Sequence, residues 1–332
     1  MATATDTGSA PAPPNHWPLI ARQAAARYLA LQGLAGAAWW GMLWLWPQSR
    51  DWFFAPAFGQ THIVALALPD ITLFAAGSMV AAMALHRGWR WGLVATAIVA
   101  GATAYATLFC FGTSLATGEA WLATVLMSAA SFITAICVWF AWPDIDLDWL
   151  FRASPPRPGR RDVIHTLAQT AAFWLTFLLL VPAGLVTLEN HAGIPGWQPG
   201  LGSGTIAVLL FVAGGTLGIA SGITMARAGR GTPLPTACPA QLVVAGPYRF
   251  VRNPMAVGGL AQGAAVGLLL GSPLVLAYVL AGALVWQVMV RPLEEHDLAR
   301  RFGDAYEDYR RAVRCWVPYS NRSGRAGSAA GA

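Results

Sequence analysis

The chain has 332 residues, of which 56% are hydrophobic and only 11% charged; it carries 16 Trp, and each of its 21 basic residues is an arginine. A net charge of +6 on so apolar a background is a poor basis for nucleic-acid binding. The composition is that of an all-α polytopic integral membrane protein.

Residues 1–16 are rich in Ala, Thr and Pro, lack an apolar face and any basic residue, and are expected to be a disordered tail rather than a signal peptide. About 20 mostly apolar residues cross a hydrocarbon core. Six comfortable spans are predicted at 25–46, 63–85, 91–112, 121–142, 164–188 and 204–225, and two tighter ones at 255–270 and 274–290, about eight in all. Gly271-Ser272-Pro273 reads as the turn between the last two, which makes them a short helical hairpin.

Arginines set the orientation, because short basic loops stay in the cytoplasm. Arg22, Arg27, Arg87, Arg90, Arg152, Arg157, Arg160, Arg161, Arg227, Arg230, Arg249 and Arg252 fall on one side together with the cluster after the hairpin, whereas Arg50 alone falls on the other. Both termini are expected in the cytoplasm of a cell whose inner membrane holds the chain. The same asymmetry suits anionic membrane lipids.

A break is expected at 143–162, where Asp144, Asp146 and Asp148 precede a Pro- and Arg-rich stretch that reads as an unburied cytoplasmic linker. It divides a four-helix unit, 17–142, from a C-terminal membrane domain, 163–318, and residues 319–332 read as a second disordered tail. In the first unit the main intramembrane polar group is Asp70. A helix beginning at Pro69 would place it in a first turn, where a carboxylate favours the helix dipole; a longer helix would make it a functional carboxylate. Cys110 and Cys137 fall inside helices and Cys238 and Cys315 in cytoplasmic segments, so no disulfide framework is expected.

Polar chemistry gathers in the C-terminal half. The stretch from Gly229 to Pro254 is dense in Gly, Pro and Arg, a composition that is stiff and lets backbone approach a ligand. Pro254 suits a helix start with Asn253 as its cap, which sets Arg252 beside exposed backbone donors. That arrangement can be an anion pocket, or Arg249 and Arg252 can simply anchor the loop to lipid phosphates. After the hairpin, a cytoplasmic helix is expected from Arg291, with an apolar stripe of Leu298, Phe302, Tyr306, Tyr309 and Val313. Glu294 and Glu295 cannot both follow the stripe, so one turns inward and needs Arg291 or a ligand cation as partner.

The order Gly246-Pro247-Tyr248-Arg249, Arg252-Asn253-Pro254-Met255, an apolar hairpin, Glu294-Glu295-x-x-Leu298, Phe302-Gly303-x-x-Tyr306-x-x-Tyr309 and Arg314-x-Trp316-x-Pro318 resembles the isoprenylcysteine carboxyl methyltransferase and phospholipid methyltransferase superfamily over roughly residues 229–318. The resemblance implies a membrane methyltransferase that binds S-adenosylmethionine between its last helices and the adjoining cytoplasmic segments. A lipophilic acceptor, a lipid carboxylate or a lipid amine, would enter from the bilayer. Arg252, Asn253 and Glu295 are then the catalytic candidates. Gly246, Pro247, Tyr248, Arg249, Arg252, Pro254, Glu294, Glu295, Tyr306 and Tyr309 are the cofactor-binding ones.

Arg252 can hold a carboxylate through paired hydrogen bonds, a glutamate the ammonium or ribose, and Tyr248 or an aromatic of the C-terminal helix the cationic sulfur. The superfamily's usual Arg-His-Pro-x-Tyr reads Arg252-Asn253-Pro254-Met255-Ala256 here, which loses a proton relay and an aromatic wall. No metal is expected, since the six His residues lack ligand spacing. The sequence leaves the oligomeric state open. The rival readings are a non-catalytic membrane binding protein and a small-solute transporter on the same scaffold.

Overall fold

A computed structural model describes residues 17–151, 159–229 and 238–318. The predicted tails, part of the 143–162 linker and the Arg230–Pro235 stretch lie outside the described residues. No β-strand occurs among them, and the chain is built from helices.

In chain order these are α1 (Trp17–Leu45), α2 (Gln60–His86), α3 (Gly92–Thr117), α4 (Trp121–Phe140), α5 (Val163–His191), α6 (Leu201–Gly229), α7 (Pro254–Leu270), α8 (Pro273–Phe302) and α9 (Asp304–Ala312). Six of them, α2 to α6 and α8, are long and apolar enough to cross a membrane, and α7 is a shorter apolar helix. The expected eight spans therefore resolve differently. Helix α1 is 29 residues long but carries Arg22 and Arg27 and is not among the six.

A buried polar relay holds the first unit together. Gln32 of α1 donates to Ser78 Oγ of α2 at 3.0 Å and accepts from Thr134 Oγ1 of α4 at 2.8 Å. Each partner is fully enclosed, so a hydrogen bond here fixes register without leaving an amide unsatisfied. Helix α2 begins at Gln60 and runs through Pro69 into a π-helical stretch, Asp70–Ala76. Asp70 is thus deep within a helix, which corrects the first-turn reading. It lines an apolar cavity of about 880 Å³ between α1, α2, α3 and α4.

The described part of the predicted linker is also corrected, because it packs. Ile145 and Leu147 are buried, and Asp148 accepts from Trp17 Nε1 at 2.7 Å and pairs with Arg300 at 2.5 Å. The two hydrogen-bond donors hold the Asp148 carboxyl below its ordinary range. Trp17 itself stacks on Phe151 at 5.1 Å and lies beneath the Arg300 guanidinium at the same separation.

The C-terminal unit packs backbone to backbone. A Cβ on Gly258 of α7 would lie 2.6 Å from the Gly214 carbonyl of α6, and one on Gly214 would lie 2.7 Å from the Gly258 carbonyl, so only glycine admits this crossing. Pro254 and Pro273 occupy first turns, where a missing N–H costs nothing, with Asn253 and Ser272 as caps. Between α7 and α8, Gly271 takes φ +60° and its carbonyl accepts from Trp197 N at 3.0 Å. Beside it Ser272 donates to Glu189 Oε2 of α5, and both side chains are buried. This closes the end of the unit far from the arginine-rich segments.

Helix α8 does not stop at the predicted edge of its span. It continues unbroken through Glu294 and Glu295 to Phe302, and the break comes at Gly303, with φ +52°. The expected stripe is therefore divided between α8 and α9.

Candidate active site

The return of α8 brings its last three turns against the segment that precedes α7. Arg252 lies at the junction and Glu295 reaches it at 2.8 Å. Its Nη1 donates to the carbonyls of Val313 at 2.7 Å and Arg310 at 3.1 Å, and its backbone N to Arg314 O at 3.0 Å. Arg291, one turn before Glu295, donates to the same carboxylate oxygen at 2.9 Å. The predicted meeting of Arg252 with the glutamate pair is present. In this arrangement both terminal nitrogens of the guanidinium are engaged by protein, and Glu295 is paired with two arginines.

Glu294 is the other member of the pair, and it has the opposite surroundings. It lines a cavity of about 410 Å³ and makes no hydrogen bond or ion pair among the described residues. Tyr248 lines the same space, is 5% exposed, and keeps a buried hydroxyl without a partner. Burial holds that hydroxyl well above the ordinary tyrosine range, and the charges of Tyr309 and Glu294 push it the same way. Tyr248 is therefore a neutral donor. Its backbone is fixed by Tyr309, whose hydroxyl donates to the Tyr248 carbonyl at 2.7 Å.

Local sequence explains the loop. Gly246 adopts φ +55° where a Cβ would meet the Thr224 hydroxyl at 2.8 Å, and the Gly246–Arg249 turn of 3₁₀ helix then presents Tyr248 inward. Asn253 caps α7, its Oδ1 accepting from Ala256 N at 3.1 Å. Opposite, Asp297 is 1% exposed and pairs with Arg301 at 2.6 Å, while Arg301 Nη1 donates to Pro239 O at 2.9 Å. Cys238 also lines the cavity, and burial pushes its thiol up to about 11.

Of the candidates named from sequence, Tyr248, Arg252, Asn253, Glu294 and Tyr309 line the cavity. Gly246, Pro247, Pro254 and Glu295 stand behind the wall and shape it. Arg249 is exposed and Tyr306 is buried outside the lining, so neither faces a guest. Sequence reasoning missed Gln169, Gln262, Trp174, Trp286, Asp297 and Arg301. One of these had a signal, because Gln262 is the sole amide in the apolar helix α7.

Residues 203–305 match the family model of phospholipid methyltransferase. No curated protein and no solved structure matches the chain. The matched stretch takes in nearly all of α6, the Gly214–Gly258 crossing, α7 and α8 with both glutamates, and it ends just before Tyr306. It therefore contains most of the cavity. Over that stretch the chain is similar to a methyltransferase family, in a chain with six helices long and apolar enough to cross a membrane among the described residues.

Proposed function

We propose that the cavity binds S-adenosylmethionine and that the protein transfers its methyl group to a lipophilic acceptor reaching the site from the bilayer. The observation that carries the proposal is the asymmetry of the glutamates: Glu295 is held by Arg252 and Arg291, while Glu294 faces the cavity unpaired. An unpaired carboxylate in a confined space favours a cationic or hydrogen-bonding guest. The fit is also supported by the orphaned Tyr248 hydroxyl and by the volume.

In this reading Glu294 holds the ammonium or ribose hydroxyls, Tyr248 donates to a polar edge, and Arg301 with Arg252 supplies positive potential toward the carboxylate. The cofactor supplies an already activated methyl group. The remaining work of the chain is alignment and exclusion of water, because in-line transfer from such a donor gains most from a fixed geometry. Asn253, engaged as a cap, is a positioning residue here and not a proton carrier. The acceptor enters between apolar walls, and both termini lie on the cytoplasmic side, where the arginines gather.

The test is titration calorimetry of the full chain in detergent with S-adenosylhomocysteine. Wild type should release heat, and Glu294→Gln should weaken binding by about 10- to 100-fold, the loss of a charge-assisted bond or two, with an unchanged melting temperature. No heat from folded wild type would refute the cofactor assignment and favour a non-catalytic binding or transport role.

A further inference from the structure

The cavity has a second arm that the cofactor chemistry does not use. Away from the charged groups it runs between α5, α6, α7 and α8, walled by Phe173, Trp174, Gly259 and Trp286. Two amides face this arm. Gln262 is 1% exposed, and its Nε2 is buried without a hydrogen-bond partner; Gln169 Oε1 is likewise buried and unpartnered. Gln262 is seated where α6 has no side chain, since a Cβ on Gly215 would come within 3.1 Å of Nε2.

An unsatisfied amide in an apolar interior destabilises a fold, and two beside one cavity call for a ligand that satisfies them. Primary amides both donate and accept. The charged lining residues, Arg252, Glu294, Asp297 and Arg301, all belong to the other end of the cavity. Gln262 lies roughly 12 Å along α7 from Pro254, at 1.5 Å per residue. An ion at that level would have no counter-charge, and a bare hydrocarbon would leave both amides unsatisfied.

We propose that this arm binds an apolar molecule bearing a neutral oxygen function, a carbonyl or hydroxyl, well below its polar end, and that Gln262 with Gln169 hydrogen-bonds that oxygen. Calling this molecule the methyl acceptor rests on the methyltransferase reading; its chemistry rests on the amides. A charged phospholipid headgroup would find no counter-charge in the arm. An apolar chain with an oxygen part-way along it fits.

The experiment is native mass spectrometry of the full chain in detergent, titrated with three sixteen-carbon probes: the hydrocarbon, its mid-chain ketone and its mid-chain alcohol. Wild type should bind ketone and alcohol at least tenfold more tightly than the hydrocarbon. Gln262→Leu should reduce that preference to within about twofold while melting no lower than wild type, since it removes an unsatisfied donor. If Gln262→Leu does not fold, Gln169→Leu carries the same comparison and should lower the preference severalfold. Equal binding of all three probes to wild type, or an undiminished preference in the folded variant, overturns the proposal. S-adenosylhomocysteine calorimetry on the same samples separates the two ideas. Heat without an oxygen preference sinks this inference alone, and preference without heat sinks the cofactor reading alone.

Discussion

Arg252 donates from Nη2 to Glu295 Oε1 at 2.8 Å, joining positions 43 residues apart in the chain. Arg291 reaches the same oxygen, and two C-terminal carbonyls take the other arm of the guanidinium. The pair is thus the rivet between the start of α7, the end of α8 and the chain after α9. Breaking a buried pair costs about 3–5 kcal/mol, and with side chains 11% and 19% exposed the expected loss for Arg252→Ala is about 2–4 kcal/mol. In a double-mutant cycle with Glu295→Gln, followed by denaturant unfolding in detergent, the losses should fall short of additivity by about 1–3 kcal/mol. Strict additivity would mean the contact contributes nothing to stability.

The α6–α7 crossing gives a second prediction. Gly258→Ala places a methyl 2.6 Å from a backbone oxygen that cannot move alone, so a stability loss of about 1–3 kcal/mol is expected from overpacking, with weakened S-adenosylhomocysteine binding. Gly204→Ala, in the partner helix α6 but away from the crossing, meets nothing within 4 Å and should be neutral or slightly stabilising. Thermal melts of the two variants side by side decide it.

Trp17 ties the first unit to the site end of α8, through Asp148, Phe151 and Arg300. It is 1% exposed. Removal of so large a side chain costs about 3–5 kcal/mol, and Trp17→Ala should both lower the melting point and raise proteolysis near residue 148. Trp17→Phe, which keeps the stacking and loses the donor, should recover most of the loss.

The Cys238 thiol gives a prediction in pH. Its pKa is raised to about 11 by burial, so the reactive thiolate is scarce at neutral pH and increases as pH rises toward that value. Iodoacetamide labelling should be slow at pH 7, climb about tenfold per pH unit in the alkaline range, and be slowed by S-adenosylhomocysteine because Cys238 lines the cavity. Rapid labelling at pH 7 that the ligand does not affect would contradict this placement. Mass spectrometry of the labelled peptide separates Cys238 from Cys315.

Much of the arrangement was legible in the sequence. Long apolar runs gave the membrane helices, Asn253-Pro254 gave a capped start, and the spacing of the two polar segments brought Arg252 to the glutamates. What the sequence could not show was who satisfies whom. Backbone carbonyls are present at every position, so nothing in the order of residues reveals that Val313 and Arg310 occupy Arg252 Nη1. The same limit hid which glutamate is free, because adjacent residues on a helix differ by about 100° in direction and the periodicity of the stripe fails at Gly303. Pro69 misled for a related reason: a proline starts helices more often than it interrupts them, yet here an apolar helix runs through it. The predicted first span falls in α1, a 29-residue helix whose Gln32, glycines, tryptophans and two arginines leave it less apolar than the six long apolar helices.

The join between α7 and α8 has a bearing on how guests come and go. With Ser272 against Glu189 and the Gly271 carbonyl against Trp197, that extremity is tied to α5 and to the chain before α6, so any loosening of the helices is expected at the opposite pole. A guest of the cavity is then expected to exchange at the arginine-rich pole and not past this latch.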